Sequence, residues 1–76
     1  ISDADYAKLI GILHYKAKIH DYFGEPVTKD ALGSPIIMSL EESLIRTLLK
    51  VLNITTKEQL DSEYNRLKDT RYAYLL

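Results

Sequence analysis

The sequence predicts an all-α fold, a three-helix bundle with a long ordered loop between helices 1 and 2. Three observations predict it. Apolar residues recur every three to four positions in three segments, each segment opens with a serine or threonine suited to an N-cap, and no stretch of normal strand length alternates. The 76 residues suffice for a single helical domain, 1–76, and because the chain does not begin with methionine we expect it to belong to a longer protein.

The first helix is predicted over residues 3–23. Ser2 is a suitable N-cap, and Gly24 followed by Pro26 provides a stop signal. The apolar residues cover more of the circumference than the roughly 100° that a surface helix of a monomer needs. We therefore expect this helix to share part of its surface with another chain, or alternatively to be covered by the loop that follows.

The loop 24–38 holds both prolines of the chain and two of its three glycines. Loops longer than about 12–15 residues are usually functional or disordered, and the apolar side chains of this one favour order. We expect it to cross the bundle and cover one side of helix 1. The cluster Ile36, Ile37 and Met38 would then complete the core or contact a partner. A short β-hairpin pairing 26–28 with 35–38 is the alternative.

The second helix is predicted to begin with a capping box of Ser39 and Glu42 and to end at Asn53, which tolerates a left-handed backbone. An earlier start, with Ser34 as the cap, ranks second. The apolar residues cover about half of its circumference.

The third helix is predicted to begin with a capping box formed by Thr56 and Gln59, or by Thr55 and Glu58. Its apolar stripe is narrow, and it runs from Leu60 towards the C-terminal residues. The remaining face mixes acidic and basic residues, which is typical of a solvated helix.

Composition excludes several classes of function. The net charge is −1 with 10 basic and 11 acidic residues, and neither half of the chain has the excess of lysine and arginine expected for a phosphate-binding surface. The chain has no cysteine, which excludes disulfides and thiolate metal sites. No apolar run approaches the roughly 18 residues of a membrane span. We expect a soluble, cytoplasmic protein, and the composition fits a small bacterial or phage protein.

No catalytic, metal-binding or cofactor-binding site is predicted. His14 and His20 are six positions apart, so they point in directions about 120° apart and cannot chelate one metal ion. We expect His20 to be partly buried with one hydrogen bond. Glu41 and Glu42 suit the first turn of a helix, where acids favour the dipole. The chain is therefore not expected to be an enzyme.

The chain is unusually rich in tyrosine, with six tyrosines against one phenylalanine and no tryptophan. Because tyrosine is enriched at interfaces, we expect a protein-interaction or oligomerisation domain whose partner is a second copy or another protein. The predicted interface residues are Tyr15, Ile19, Tyr22, Ile36, Ile37 and Met38. Changing Tyr15 and Tyr22 to alanine should then weaken assembly without unfolding the domain.

The alternative function is a small helix-turn-helix-like DNA-binding module that uses helix 3. Its DNA contacts would be Asn65, Arg66, Lys68 and Arg71. The acidic residues on the same helix argue against it, because attraction to phosphate supplies most of the affinity for DNA.

Overall fold

The computed structural model describes residues 2–76, and the chain folds as the predicted all-α arrangement of three helices. Helix α1 runs over Asp3–Ala17, α2 over Leu40–Val51 and α3 over Lys57–Lys68, and a 3₁₀ turn, Ala73–Leu75, follows α3. Helices α1 and α3 form the closest pair, and the 3₁₀ turn packs against both. Among the described residues, no helix has the length and apolar character needed to cross a membrane.

The three helices begin at the N-caps that the sequence indicates. The hydroxyl groups of Ser2 and Ser39 each accept a hydrogen bond from the backbone N–H three residues further on, at 3.2 and 3.1 Å. Thr56 and Gln59 form a full capping box, since each side chain accepts the other's backbone N–H at 3.2 Å. Such a cap stabilises its helix by about 1 kcal/mol. The predicted starts of α2 and α3 are confirmed, with Thr56 rather than Thr55 as the cap of α3. At α2 only the Ser39 half of the predicted capping box forms, because the Glu42 carboxylate accepts hydrogen bonds from Arg46 instead.

Helix α2 ends as predicted at Asn53, whose backbone is left-handed with φ of 61°. The N–H of Asn53 donates to the carbonyl of Lys50 at 3.0 Å, and the N–H of Ile54 donates to the carbonyl of Leu49 at 2.9 Å. These two bonds form a Schellman motif, which satisfies the last carbonyls of the helix. The motif also turns the Ile54 side chain into the core.

Helix α1 ends at Ala17, so the predicted end at residue 23 is wrong. Beyond it the carboxylate of Asp21 accepts the backbone N–H groups of Phe23, at 2.9 Å, and Gly24, at 3.1 Å. Side chain-to-backbone bonds of this kind compete with helix formation. Gly24 lies in this turn without a positive φ, so its predicted role as a left-handed helix terminator is also wrong. The turn directs Tyr22 into the core.

The core lies mainly between α1 and α3. Ile10 and Leu60 are its largest fully enclosed side chains. The other buried members are Ala7, Leu13, Ala17, Tyr22, Ile45, Leu49, Ile54 and Leu67. Helix α2 supplies only Ile45 and Leu49 to this set of buried residues, although its apolar residues cover about half of its circumference. Much of the apolar surface of α2 therefore faces away from the core.

The connection between α1 and α2, which we call the arm (residues 24–38), closes on itself. The carboxylate of Asp30 accepts the backbone N–H groups of Leu32 and Ser34 at 2.8 and 2.9 Å. An antiparallel bridge joins Lys29 and Pro35, and no longer strand pairing forms among the described residues. Of the predicted hairpin between 26–28 and 35–38, only this one antiparallel bridge near its end forms.

The arm does not cover α1, contrary to our expectation. All side chains of residues 24–37 are exposed, and Ile12 and Tyr15 stay exposed on α1. The backbone N–H groups of Asp30, Leu32, Gly33 and Ser34 bond within the arm, so the tip of the arm does not depend on hydrogen bonds from the helices. The molecule measures 49 × 21 × 19 Å. Because α1 is only about 22 Å long, the helices alone do not set this length.

Candidate interaction surface

An ion pair joins α1 and α2 at the surface. Lys16 Nζ lies 2.5 Å from Glu41 Oε1. The hydrogen bond with Glu41 raises the pKa of Lys16, and the hydrogen bond with Lys16 lowers the pKa of Glu41, so both groups stay charged. Residues three or four apart are neighbours on a helix surface. Ile12 on α1 is therefore a neighbour of Lys16, and Leu44 on α2 is a neighbour of Glu41, each on its own helix.

A line of exposed side chains runs along α2. Leu40, Leu44 and Val51 are 86%, 65% and 71% exposed, and Thr47 between them is exposed as well. We call these four residues the α2 stripe. Their spacing of four, three and four positions keeps them on one side of the helix. Contiguous apolar side chains on a monomer surface mark interaction sites.

A second line of exposed apolar residues lies along α1, the helix that carries Lys16 of this ion pair. It consists of Ile12 and Tyr15 on α1 and Ile19 in the turn that follows, and we call it the α1 stripe. The charged residues Lys8 and Lys16 occupy neighbouring positions on the same side of the helix. The two stripes together present apolar surface with a few charges interspersed, which suits contact with protein.

Five of the six predicted interface residues keep accessible surface. Tyr15 and Ile19 are exposed on the α1 stripe, and Ile36 and Ile37 are exposed in the arm. Met38 is partly buried where the arm meets α2. The cluster Ile36, Ile37 and Met38 lines an open cleft with a volume of about 350 Å³ at the base of the arm. The structure therefore divides the predicted residues between two separate places.

Tyr22 is the exception, because it is only 6% exposed and belongs to the core. Tyr22 was predicted to lie on the same helix as Tyr15, within residues 3–23. That prediction is wrong, since α1 ends at Ala17. Arg46 Nη1 also donates to the backbone carbonyl of Tyr22 at 3.1 Å. A change of Tyr22 to alanine would open the core, so it cannot report on a surface.

No family model matches the sequence, and no curated protein and no solved structure matches it either.

The α2 stripe is the part of this surface that sequence reasoning missed. The predicted interface residues include none from α2. The signal was present, however, because an apolar arc of half the circumference exceeds the roughly 100° that a core-facing helix needs. The same criterion indicated surplus apolar surface on α1, and it applies equally to α2.

The residues predicted for DNA contact lie on α3 and directly after it. All are exposed: Asn65, Arg66, Lys68 and Arg71. Arg66 already donates to Glu63 at 3.0 and 2.6 Å, and Arg71 donates to the Tyr72 hydroxyl at 3.0 Å. Helix α3 has its closest contacts with α1 and not with α2, whereas α2 and α3 would form the two-helix unit of a helix-turn-helix.

The two histidines occupy different environments. His14 is partly buried, and its Nε2 lies 3.1 Å from Asp61 Oδ1. His20 is exposed, so the expectation that it is the partly buried one is wrong. Within residues 2–76, no three histidine, aspartate or glutamate side chains come together in a way that could hold a metal ion.

Proposed function

We propose that this chain is a non-catalytic protein-interaction domain that self-associates through the α2 stripe and the adjoining α1 stripe. The observation that carries the proposal is the exposure of Leu40, Leu44 and Val51 along one side of α2. These aliphatic side chains lie on a regular helix with both ends capped, so they present a fixed surface. No cofactor and no reacting group is part of the proposed role.

The energetics favour a weak, concentration-dependent assembly. Burying one such aliphatic side chain is worth about 1.5–3 kcal/mol. Association costs roughly 4–15 kcal/mol in lost translational and rotational freedom. A few side chains from each copy supply a favourable term of the same order as this cost, so the net gain is small and we expect the association to be weak.

The arm provides a second surface for the same role. Ile36 and Ile37 are exposed beside the cleft at its base. A different protein could occupy this cleft while a second copy occupies the α2 stripe. We place the domain in the cytoplasm, because a chain without cysteine is compatible with a reducing compartment.

Sedimentation velocity and light scattering over a range of concentrations test the proposal. We expect the mass of the wild type to rise with concentration and Leu44→Ser to remain monomeric. Leu32→Ser is the matched control, because Leu32 is also exposed but lies at the tip of the arm. A wild type that stays monomeric throughout would refute self-association, and equal behaviour of Leu44→Ser and wild type would refute this surface.

DNA binding through α3 remains the alternative proposal, with Asn65, Arg66, Lys68 and Arg71 as contacts. The ion pair of Arg66 with Glu63 weighs against it, because that acid competes with phosphate. A mobility-shift experiment at low salt with mixed-sequence duplex DNA decides it, and absence of a shift there would dismiss this function.

A further inference from the structure

The α2 stripe has the spacing of a coiled-coil seam. Leu40, Leu44, Thr47 and Val51 follow each other at intervals of four, three and four positions, which is the order d, a, d, a of a heptad repeat. All four side chains are exposed in the single chain. The side chains of such a seam become buried when they pack against another helix with the same spacing.

The stripe is also complementary to itself in the antiparallel direction. When two copies of α2 run antiparallel about a twofold axis through the helix centre, Leu40 lies opposite Val51 of the second copy. Leu44 then lies opposite Thr47 of the second copy. Each a position thus faces a d position, which is the pairing that antiparallel helices make, and a twofold interface requires such reciprocity.

The helix dipoles favour the same orientation. The acidic residues of the first turn, Glu41 and Glu42, are already paired with Lys16 and Arg46 of the same chain, so they do not set the orientation. An antiparallel pair opposes the two helix dipoles, whereas a parallel pair would place like ends of the dipoles side by side. Spacing and dipole direction therefore favour a second copy of α2 in the antiparallel orientation.

We infer that α2 pairs antiparallel with α2 of a second copy of this chain, with Leu40 opposite Val51 and Leu44 opposite Thr47. This inference rests on the proposed self-association and adds its partner, contact helix and register.

Cysteine cross-linking tests the register, and the chain has no cysteine of its own to interfere. Full-length Leu40→Cys and Val51→Cys are prepared separately and oxidised alone or as an equal mixture. In the antiparallel pair, positions 40 and 51 face each other, whereas the two copies of position 40 are about 16 Å apart along the helix. A disulfide needs Cα atoms within roughly 7 Å. We expect disulfide-linked dimers in the mixture and several-fold less in either variant alone.

A second pair of variants repeats the test without disulfide chemistry. Leu44→Arg and Thr47→Glu each place a charge opposite an uncharged residue in a homodimer. In the mixture, the new arginine of one chain faces the new glutamate of the other. We expect both variants to be monomeric alone and the mixture to sediment as a heterodimer. Circular dichroism confirms that each variant stays folded, since both positions are exposed.

The outcomes separate the two levels of the proposal. Cross-linking of Leu40→Cys with itself would overturn the antiparallel register. A wild type that dimerises while neither mixture associates would overturn the α2 pairing but leave self-association standing. A wild type that remains monomeric at every concentration would overturn both.

Discussion

His14 and Tyr64 stack face to face across the contact between α1 and α3, with ring centroids 3.9 Å apart and ring planes inclined by 10°. Asp61, one turn before Tyr64 on α3, lies 3.1 Å from His14 Nε2. Lys68 Nζ lies 5.7 Å from the centroid of Tyr64. A single histidine thus joins the two helices through both a stacking contact and a polar contact.

This stack should contribute measurably to stability. We expect His14→Leu and Tyr64→Leu each to lower the free energy of unfolding, and the double variant to lose less than the sum. The coupling energy should be about 0.5–1.5 kcal/mol, the range for aromatic pairs. Urea denaturation of the four proteins measures it. Tyr74→Leu is the control, because Tyr74 is exposed and should change stability by less than about 0.5 kcal/mol. A coupling energy near zero would contradict a stabilising stack.

Arg46 should be irreplaceable by lysine. Its guanidinium donates to the backbone carbonyls of Asp21, Tyr22 and Gly24 at 3.3, 3.1 and 2.9 Å. Lysine carries one ammonium group and cannot reproduce this fork. We expect Arg46→Lys to lower the free energy of unfolding by about 1–3 kcal/mol and to speed amide hydrogen exchange in 21–24. Lys50→Arg, an exposed change on the same helix, should do neither. Unchanged exchange in 21–24 would show that Arg46 does not hold that segment.

The same contacts explain which parts of the fold the sequence could predict. A helix start depends on the contact between a capping side chain and a backbone N–H three residues away. The caps Ser39 and Thr56 could therefore be predicted from the local sequence. The turn after α1 combines the local bonds of Asp21 with the contacts of Arg46, which lies on another helix. The contacts of Arg46 cannot be predicted from a local pattern, and the apolar residues up to 23 continue the helical spacing.

The exposed apolar surface could be predicted only in part. The excess of apolar residues predicted more apolar side chains than the core covers, and Tyr15 and Ile19 are exposed. A hydrophobic pattern does not show which part of a wide apolar arc faces the core, however. The exposure of Leu40 and Leu44 was therefore not predicted, and Tyr22 was expected at the surface although it is buried.

Stability should fall at alkaline pH because of Tyr6. Its hydroxyl donates to Glu63 Oε1 at 2.8 Å. Burial, and then the hydrogen bond to Glu63, raise the pKa of Tyr6 from 10.0 to about 12. A raised pKa means that the folded state binds the proton more tightly. The stabilisation is therefore complete below pH 10.0 and is lost as the pH rises towards about 12.

Unfolding by urea at several pH values measures this dependence. We expect Tyr6→Phe to be less stable than wild type at neutral pH and to show a shallower alkaline decline. Tyr15→Phe is the matched control, because Tyr15 is exposed. If Tyr6→Phe declines as steeply as wild type between pH 10 and 12, the loss arises from other groups.

Gly11→Ala should destabilise the protein, although helix propensity favours alanine over glycine. Alanine in place of an interior glycine normally stabilises a helix by about 1 kcal/mol. A Cβ at Gly11 would lie 2.9 Å from the Cα and 3.1 Å from the carbonyl oxygen of Leu76, where the C-terminal segment crosses α1. These are backbone atoms, so the whole segment would have to move, and overpacking of this kind costs roughly 1–3 kcal/mol. We therefore expect Gly11→Ala to lower the melting temperature, with Lys8→Ala on the exposed side of α1 as the control. A higher melting temperature for Gly11→Ala would mean that the C-terminal segment yields freely and does not constrain position 11.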